Sequence, residues 1–335
     1  MKKILSLMMF FLLVFSVVGC SKKDNTYGDV QGNKAVEKEF VKIVGLKGPT
    51  SIGMIKMFEE KPFLGENLDS SYEIAGSPDI LVSKLLSKEV DFAALPTNVA
   101  AKLYNKEAGY EMAAINTWGV LYVMTQGETI KTWEDLKGKK INAIAKGSTP
   151  DVAFRYLLEK NGLDPEKDVT LDYTFNHVEL AQAMIAGKVN IAVLPEPFVT
   201  MVSMKNKEAT VAMNIQEEWE NALGENAAIA QGCLVVRKDF AQKHPDAVKN
   251  FLDEYEKSIN WVNENKEEAG KLIEKHGIGM KAKIAELAIP RCNIAFKDAQ
   301  NAKETVQKYL KVLYDFSPKD VGGKLPDENF YYNQQ

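Results

Sequence analysis

The sequence predicts an α/β protein of two similar lobes, each a mainly parallel sheet flanked by helices, joined by two crossover segments. Three observations predict it. Short apolar strands alternate with longer helical patterns from Val41 onward, the signature of βα units. The alternation restarts after Gly127. The two series keep one offset of 99 positions, the difference between Gly48 and Gly147 and between Thr50 and Thr149.

Taken in order, the first series reads "VKIVGL" then "TSIGMIKMFEE", "SYEIAG" then "PDILVSKLLSK", and "VDFAALP" then "TNVAAKLYNKE". The second reads "KINAIAKG" then "TPDVAFRYLLEKNG", "VTLDYTFN" then "HVELAQAMIAGK", and "VNIAVLP" then "EPFVTMVSMKN". "VDFAALP" falls on "VNIAVLP" with Val, Ala, Leu and Pro in common. An offset that holds without a gap over three βα units favours an internal repeat over one doubly wound sheet, the alternative reading. "AAIAQGCLVVRKDF" then supplies a further strand, and the remainder is helical. Val248, Phe251, Leu252, Tyr255, Ile259 and Val262 share one helical face, as do Val306, Tyr309, Leu310 and Leu313. These helices are expected to return to the first lobe. The expected division is 1–19 signal peptide, 20–38 tether, 39–126 first part of lobe one, 127–227 lobe two and 228–335 the return. The chain would cross between lobes near Gln126-Gly127 and near Ala230-Gly232, as a hinge requires.

The N-terminus stands apart from this pattern. Lys2-Lys3 precedes an almost wholly apolar run over 4–18, shorter than the about 20 residues of a membrane span and typical of a secretory signal. The run ends in "SVVGC" and turns polar at once. That junction resembles a bacterial lipobox, in which Cys20 is lipidated and becomes the mature N-terminus. Setting aside Lys2 and Lys3 leaves 40 basic against 46 acidic residues with no clustered basic face, which argues against nucleic acid as a partner. Beyond Cys20 only Cys233 and Cys292 remain; they either pair outside the cytoplasm or stay buried thiols.

Ligands of open parallel α/β sheets sit beyond the carboxyl ends of the strands. The repeat therefore brings together loops around Thr50 and Ser51, Ser77, and Thr97 and Asn98 from one lobe. From the other come Ser148 and Thr149, His177, and Glu196. Ser, Thr, Asn and Asp at helix starts cap free N–H groups, and the same N-termini attract anionic or acceptor groups of a ligand. Capping alone would explain any one loop; a set converging on one cleft points to a ligand site. Trp118 follows a predicted strand and offers a stacking surface beside these caps. Met54 and Met57 read as core.

"GSTPDVAFRYLLEKNGLDPEKDV", with "KTWEDLKGKKI" before it and "GKVNIAVLPEPFV" after it, resembles the second-lobe signature of substrate-binding proteins of ABC importers for nitrate, sulfonates, taurine and thiamin precursors. The resemblance runs from about Val41 into the tail, where the motifs are loose. It implies the two-lobed type II periplasmic binding protein fold, with two crossovers and closure over a small molecule. By position it implies that Thr50, Ser51, Thr97, Asn98, Ser148, Thr149 and Glu196 line the cleft. It also implies as partners a small-molecule ligand and a permease with its cytoplasmic ATPase. The lipobox adds attachment to the extracytoplasmic face of the membrane through Cys20, and the protein is expected to be a monomer.

No catalytic residue, metal or cofactor is assigned. The chain has three histidines, His177, His244 and His276, and only His177 falls near the cleft. Cys-x-x-Cys and His-Glu-x-x-His spacings, phosphate loops and nucleophile elbows are missing from the sequence. Enzymes of this fold, in the menaquinone pathway or resembling thiamin-pyrimidine synthase, are the alternative, together with a sensory or adhesive lipoprotein. Arginine is limited to Arg155, Arg237 and Arg291. That shifts the expected ligand from a strong anion, which invites guanidinium forks, towards an aromatic or heterocyclic molecule, with sulfonate-like compounds retained.

Overall fold

The structure is a computed structural model and describes residues 38–225 and 227–334; Cys20 and the 1–19 segment lie outside them. Among the described residues the eleven strands are β1 (Glu39–Leu46), β2 (Leu68–Ala75), β3 (Phe92–Pro96), β4 (Tyr110–Thr117), β5 (Leu121–Thr125), β6 (Lys140–Asn142), β7 (Thr170–Asp172), β8 (Ile191–Pro195), β9 (Thr210–Asn214), β10 (Gly232–Arg237) and β11 (Ile294–Asp298). They form a six-stranded sheet in the order β11-β4-β10-β3-β1-β2 and a five-stranded sheet in the order β7-β6-β8-β5-β9.

The offset of 99 survives in three dimensions. Adding it to Phe92–Pro96 gives Ile191–Pro195, and adding it to the helix Pro78–Leu86 gives the helix His177–Ile185. Each half has a parallel trio: β1 pairs with β2 and β3, and β6 with β7 and β8. The central strand of each trio is apolar and buried, as a strand covered on both faces must be: Val41, Ile43 and Val44 in β1, Ile141 in β6.

Each trio is extended by a strand that runs the other way. β10 is antiparallel to β3 and β4, and β5 is antiparallel to β8 and β9. The direction follows from where the chain crosses. β5 begins beside the end of β8, with Leu121 opposite Pro195, and β10 begins with Gly232 opposite Pro96. A strand that enters a lobe at its cleft edge can only run away from that edge.

Pairing also locates the crossings. Thr117 pairs with Gly232 in the first sheet, while the Val120 carbonyl accepts from Glu196 N–H in the second at 3.0 Å. The first crossing is therefore at 118–120, not at Gln126-Gly127, because β5 belongs to the second sheet. Its apolar run in "LYVMT" reads equally well as a strand of either lobe, and only the pairing assigns it. The second crossing lies at Ala230. Ile229 N–H donates to Gln216 of the second lobe at 3.1 Å, and the Gln231 carbonyl accepts from Thr97 of the first at 3.4 Å.

The helix Pro245–Glu264 buries the predicted face from Val248 to Val262 on the first lobe, where Phe251 stacks on Phe92 with centroids 4.0 Å apart. The helix Ala299–Phe316 does more than return to that lobe. Tyr309 packs against Trp219 of the second lobe at 5.7 Å, and Phe316 stands edge-on to Tyr156 at 5.9 Å. Cys233 and Cys292 are both buried free thiols. No helix among the described residues is long and apolar enough to cross a membrane.

Candidate functional site

Between the ends of the two parallel trios lies a cavity of about 40 Å³. Leu46, Thr50, Gly76, Ser77 and Pro96 form its first-lobe wall, Ala145, Pro150, His177 and Pro195 its second, and Gln231 of the second crossing closes it. Prolines recur at these positions for a local reason. Pro49 and Pro78 occupy first helical turns, where a missing N–H costs nothing, and Pro96 and Pro195 end strands. Together they make rigid apolar walls with few competing donors. Pockets that enclose organic ligands run to roughly 300 Å³ and above, so the lobes are closed on one another and must part to admit one.

What the helix starts do separates capping from ligand readiness. Asn176 accepts from Val178 and Glu179 N–H at 3.0 Å, and Glu179 returns a contact to Asn176 N–H at 3.0 Å; this helix caps itself. Ser77 and Ser148 stand at N-cap positions, yet neither side chain caps its helix. The first N–H groups of Pro78–Leu86 thus keep their hydrogen-bonding capacity at the cavity wall, next to the half-buried Ser77 hydroxyl.

Three of the predicted residues, Thr50, Ser77 and His177, line the cavity. The others do different things. Ser51 is fully buried and donates to the Leu46 carbonyl at 2.6 Å, which locks the turn after β1. Thr97 is fully buried behind Pro96. Asn98 donates across the interlobe boundary to the Gly147 carbonyl at 3.0 Å and accepts from Thr149 Oγ1 at 3.2 Å. Ser148, next to Gly147, is buried. Trp118 sits on the first crossing with Nε1 donating to the Ala295 carbonyl at 3.3 Å, away from the cavity. Glu196 is fully buried with Arg291 Nη2 2.5 Å from its Oε1, and its Oε2 accepts from Thr200 N–H at 3.0 Å.

Burial governs the charges. It lowers the His177 imidazole to about 4, so the ring is neutral near pH 7. Burial raises the Glu196 carboxyl despite the opposing pull of Arg291. It also raises Asp151 against the hydrogen bonds of Tyr173 and Gly147. Asp151 Oδ2 accepts from Gly147 N–H at 2.6 Å, holding the loop that Asn98 meets. No group of His, Cys, Asp and Glu able to hold a metal occurs among the described residues.

Lys47, Gln231 and the Arg291 contact escaped sequence reasoning. Lys47 is exposed at the mouth of the cavity. The signal was present: Lys47-Gly48 and Lys146-Gly147 are the same dipeptide, 99 positions apart. Gln231 lies in an uncharged linker, and nothing in "AAIAQGCL" marks it.

The two lobes meet around a cleft whose walls are loops at the ends of the parallel strands. Residues 64–283 match the family described as "ABC transporter, phosphonate, periplasmic substrate-binding protein", and the chain belongs to that family. Its fold matches the crystal structure of an ABC transporter protein from Parabacteroides distasonis, 29% identical, with TM-score 0.71 over 88% of this chain and 99% of that one. The alkanesulfonate-binding protein SsuA of Xanthomonas axonopodis pv. citri, solved with MOPS, shares the fold at 16% identity and TM-score 0.68, over 88% and 97% of the two chains. YtlA of Bacillus subtilis (strain 168), provisionally named a binding protein, is 23% identical over 256 residues, 75% of this chain and 70% of that one. The protein is thus the extracytoplasmic substrate-binding component of an ABC importer and not an enzyme, with a small-molecule ligand and a permease as partners.

Proposed function

We propose that the cleft captures a small organic oxyanion of the sulfonate or phosphonate class and presents it to the permease. The observation that carries this reading is the uncapped N-terminus of Pro78–Leu86 at the cavity wall. Free N–H groups at the positive end of a helix favour an anion. Lys47 at the mouth adds a full positive charge, and Thr50 and Ser77 add hydroxyl donors. The proline walls suit a short alkyl tail. Scarce arginine does not oppose an anion here, because helix N–H groups and a lysine take the place of a guanidinium fork. Trp118, turned to Ala295, gives no support to aromatic stacking. The ligands named for the family and for the Xanthomonas protein, phosphonate and alkanesulfonate, point the same way.

Cys20 would carry the lipid that holds the protein at the outer face of the membrane, with the 20–38 segment as its tether. Both walls of the cleft come from a single chain, which suits a monomer. Thermal unfolding with ethanesulfonate, ethylphosphonate, nitrate and neutral heterocycles tests the ligand class. A ligand at 100 times its Kd stabilises by about 2.7 kcal/mol. Stabilisation by the first two compounds supports the reading; a response confined to heterocycles refutes it. Metabolic labelling with a fatty acid that disappears in Cys20→Ser tests the anchor.

A further inference from the structure

We infer that Gln231 is the residue by which the cleft tells one oxyanion from another. Its side-chain carbonyl accepts a hydrogen bond from a ligand that still carries an acidic proton, so the site takes a singly protonated phosphonate in preference to a sulfonate. This rests on the oxyanion reading above and narrows it. Gln231 comes from the second crossing, and its backbone is pinned to the first lobe. Its main-chain carbonyl accepts from Thr97 N–H at 3.4 Å, and Gly232 beside it pairs with both Pro96 and Thr117. From that fixed point the residue forms part of the cavity wall. It is 5% exposed, and its Oε1 is buried with no hydrogen-bond partner among the described residues. An unpaired buried acceptor carries the full desolvation cost of that group, so a ligand that brings a donor to Gln231 is favoured over one that cannot.

The remaining polar groups of the wall serve the negative oxygens. The Lys47 ammonium and the first N–H groups of Pro78–Leu86 donate, and the Thr50 and Ser77 hydroxyls donate or accept. An amide oxygen accepts only, and it repels an oxyanion oxygen placed against it. A sulfonate presents three acceptor oxygens and holds no proton near neutral pH. A phosphonate that has lost one proton presents two acceptor oxygens and one P–OH. The same compact headgroup therefore meets the donors with its charge and Gln231 with its hydroxyl. An analogue that leaves a site's buried polar group unpaired is rejected by that site.

Two titratable side chains, Lys47 and His177, line the cavity with Gln231. Behind the walls stand Glu196 with Arg291 next to Pro195, Asp151 next to Pro150, and the buried Cys233 two residues on from Gln231. A sulfonate gains and loses no proton in the working range, so its affinity records whatever these groups do. The ratio of phosphonate to sulfonate affinity removes their common effect and leaves the ligand's own proton.

Isothermal titration of the full chain with ethylphosphonate and ethanesulfonate, below and above the second ionisation of the phosphonate, measures that ratio. Below it we expect ethylphosphonate to bind at least about tenfold tighter, and the ratio to fall as the P–OH ionises. Gln231→Met, close in length but without the acceptor, should bring the ratio near one and make it indifferent to pH. Gln231→Leu is the second variant, and thermal unfolding checks that each is folded; the wild-type ratio needs no variant at all. A wild type that binds ethanesulfonate as tightly as ethylphosphonate overturns the inference, as does a ratio that stays fixed or rises with pH. So does a ratio that Gln231→Met leaves unchanged, or tighter binding of 2-aminoethanesulfonate than of ethylphosphonate, which would assign the acceptor to an ammonium group. In each of these cases the oxyanion reading stands; binding of no oxyanion removes both.

Discussion

Thr149 Oγ1 donates to Asn98 Oδ1 at 3.2 Å, so the residue equivalent to Thr50 closes the cleft while Thr50 itself lines it. The two halves share their backbone plan and divide the labour of their matching side chains. One half offers the ligand surface, and the other offers the surface on which the lobes meet.

Neighbouring hydroxyls should accordingly respond in opposite ways. Ser51→Ala leaves the buried Leu46 carbonyl without its donor, which costs about 1–3 kcal/mol of stability, with ligand affinity little changed once folded. Thr50→Val should barely alter the melting temperature but weaken binding of an oxyanion roughly tenfold, since hydrogen bonds to charged groups contribute about 1.5–3 kcal/mol. Paired melting and titration experiments check this; equal effects of the two substitutions on affinity would count against it.

Asn98 holds two carbonyl oxygens, of Gly147 and Asp320, through one amide nitrogen. Asn98→Asp replaces that donor with an acceptor facing two acceptors. We expect a loss of about 2–3 kcal/mol, read as a lower denaturation midpoint, and a larger radius of gyration in solution scattering. An unchanged scattering profile would show that this contact does not help hold the lobes together.

Much of this arrangement was legible in the sequence because period and offset are backbone properties. Alternation located the strands, and the 99-residue offset paired Phe92–Pro96 with Ile191–Pro195 before any coordinate. Side-chain direction was not legible. Thr50 and Ser51 are adjacent and chemically alike, yet one turn of backbone sends Thr50 to the cavity and Ser51 to Leu46. The crossing was misplaced because an apolar strand does not declare its sheet. Trp118 reads as a stacking surface in the sequence, but its indole N–H donates to the Ala295 carbonyl of β11.

His177 gives the cleft a pH signature. Its folded-state value is lowered to about 4 against about 6.5 unfolded. Between these values the unfolded chain binds the proton and the folded chain does not, so this group's contribution to stability is complete above about 6.5 and is lost as pH falls towards 4. Glu196 and Asp151, raised by burial, slope the opposite way, losing stability as pH rises. The difference between wild type and His177→Gln isolates the histidine. That difference should depend on pH between about 4 and 6.5 and level off above; a flat difference across the window removes the claim.

Gly232 begins β10 at the second crossing, and a Cβ there would lie 2.5 Å from Thr50 Cγ2 and 3.0 Å from Asn116 Oδ1. Gly232→Ala must push Thr50 out of place. We expect a folded protein with oxyanion affinity reduced by about an order of magnitude, in line with loss of one charge-assisted hydrogen bond. Wild-type affinity in this variant would show that Thr50 is not a ligand contact.

Isothermal titration of the protein with ethanesulfonate and ethylphosphonate, alongside Lys47→Met and Ser77→Ala, tests the oxyanion reading most directly. We expect saturable binding of one molecule per chain to the wild type, weakened in both variants and more so at high salt for the wild type than for Lys47→Met. Absence of heat with either oxyanion, together with saturable binding of a neutral heterocycle that Lys47→Met leaves intact, would contradict it.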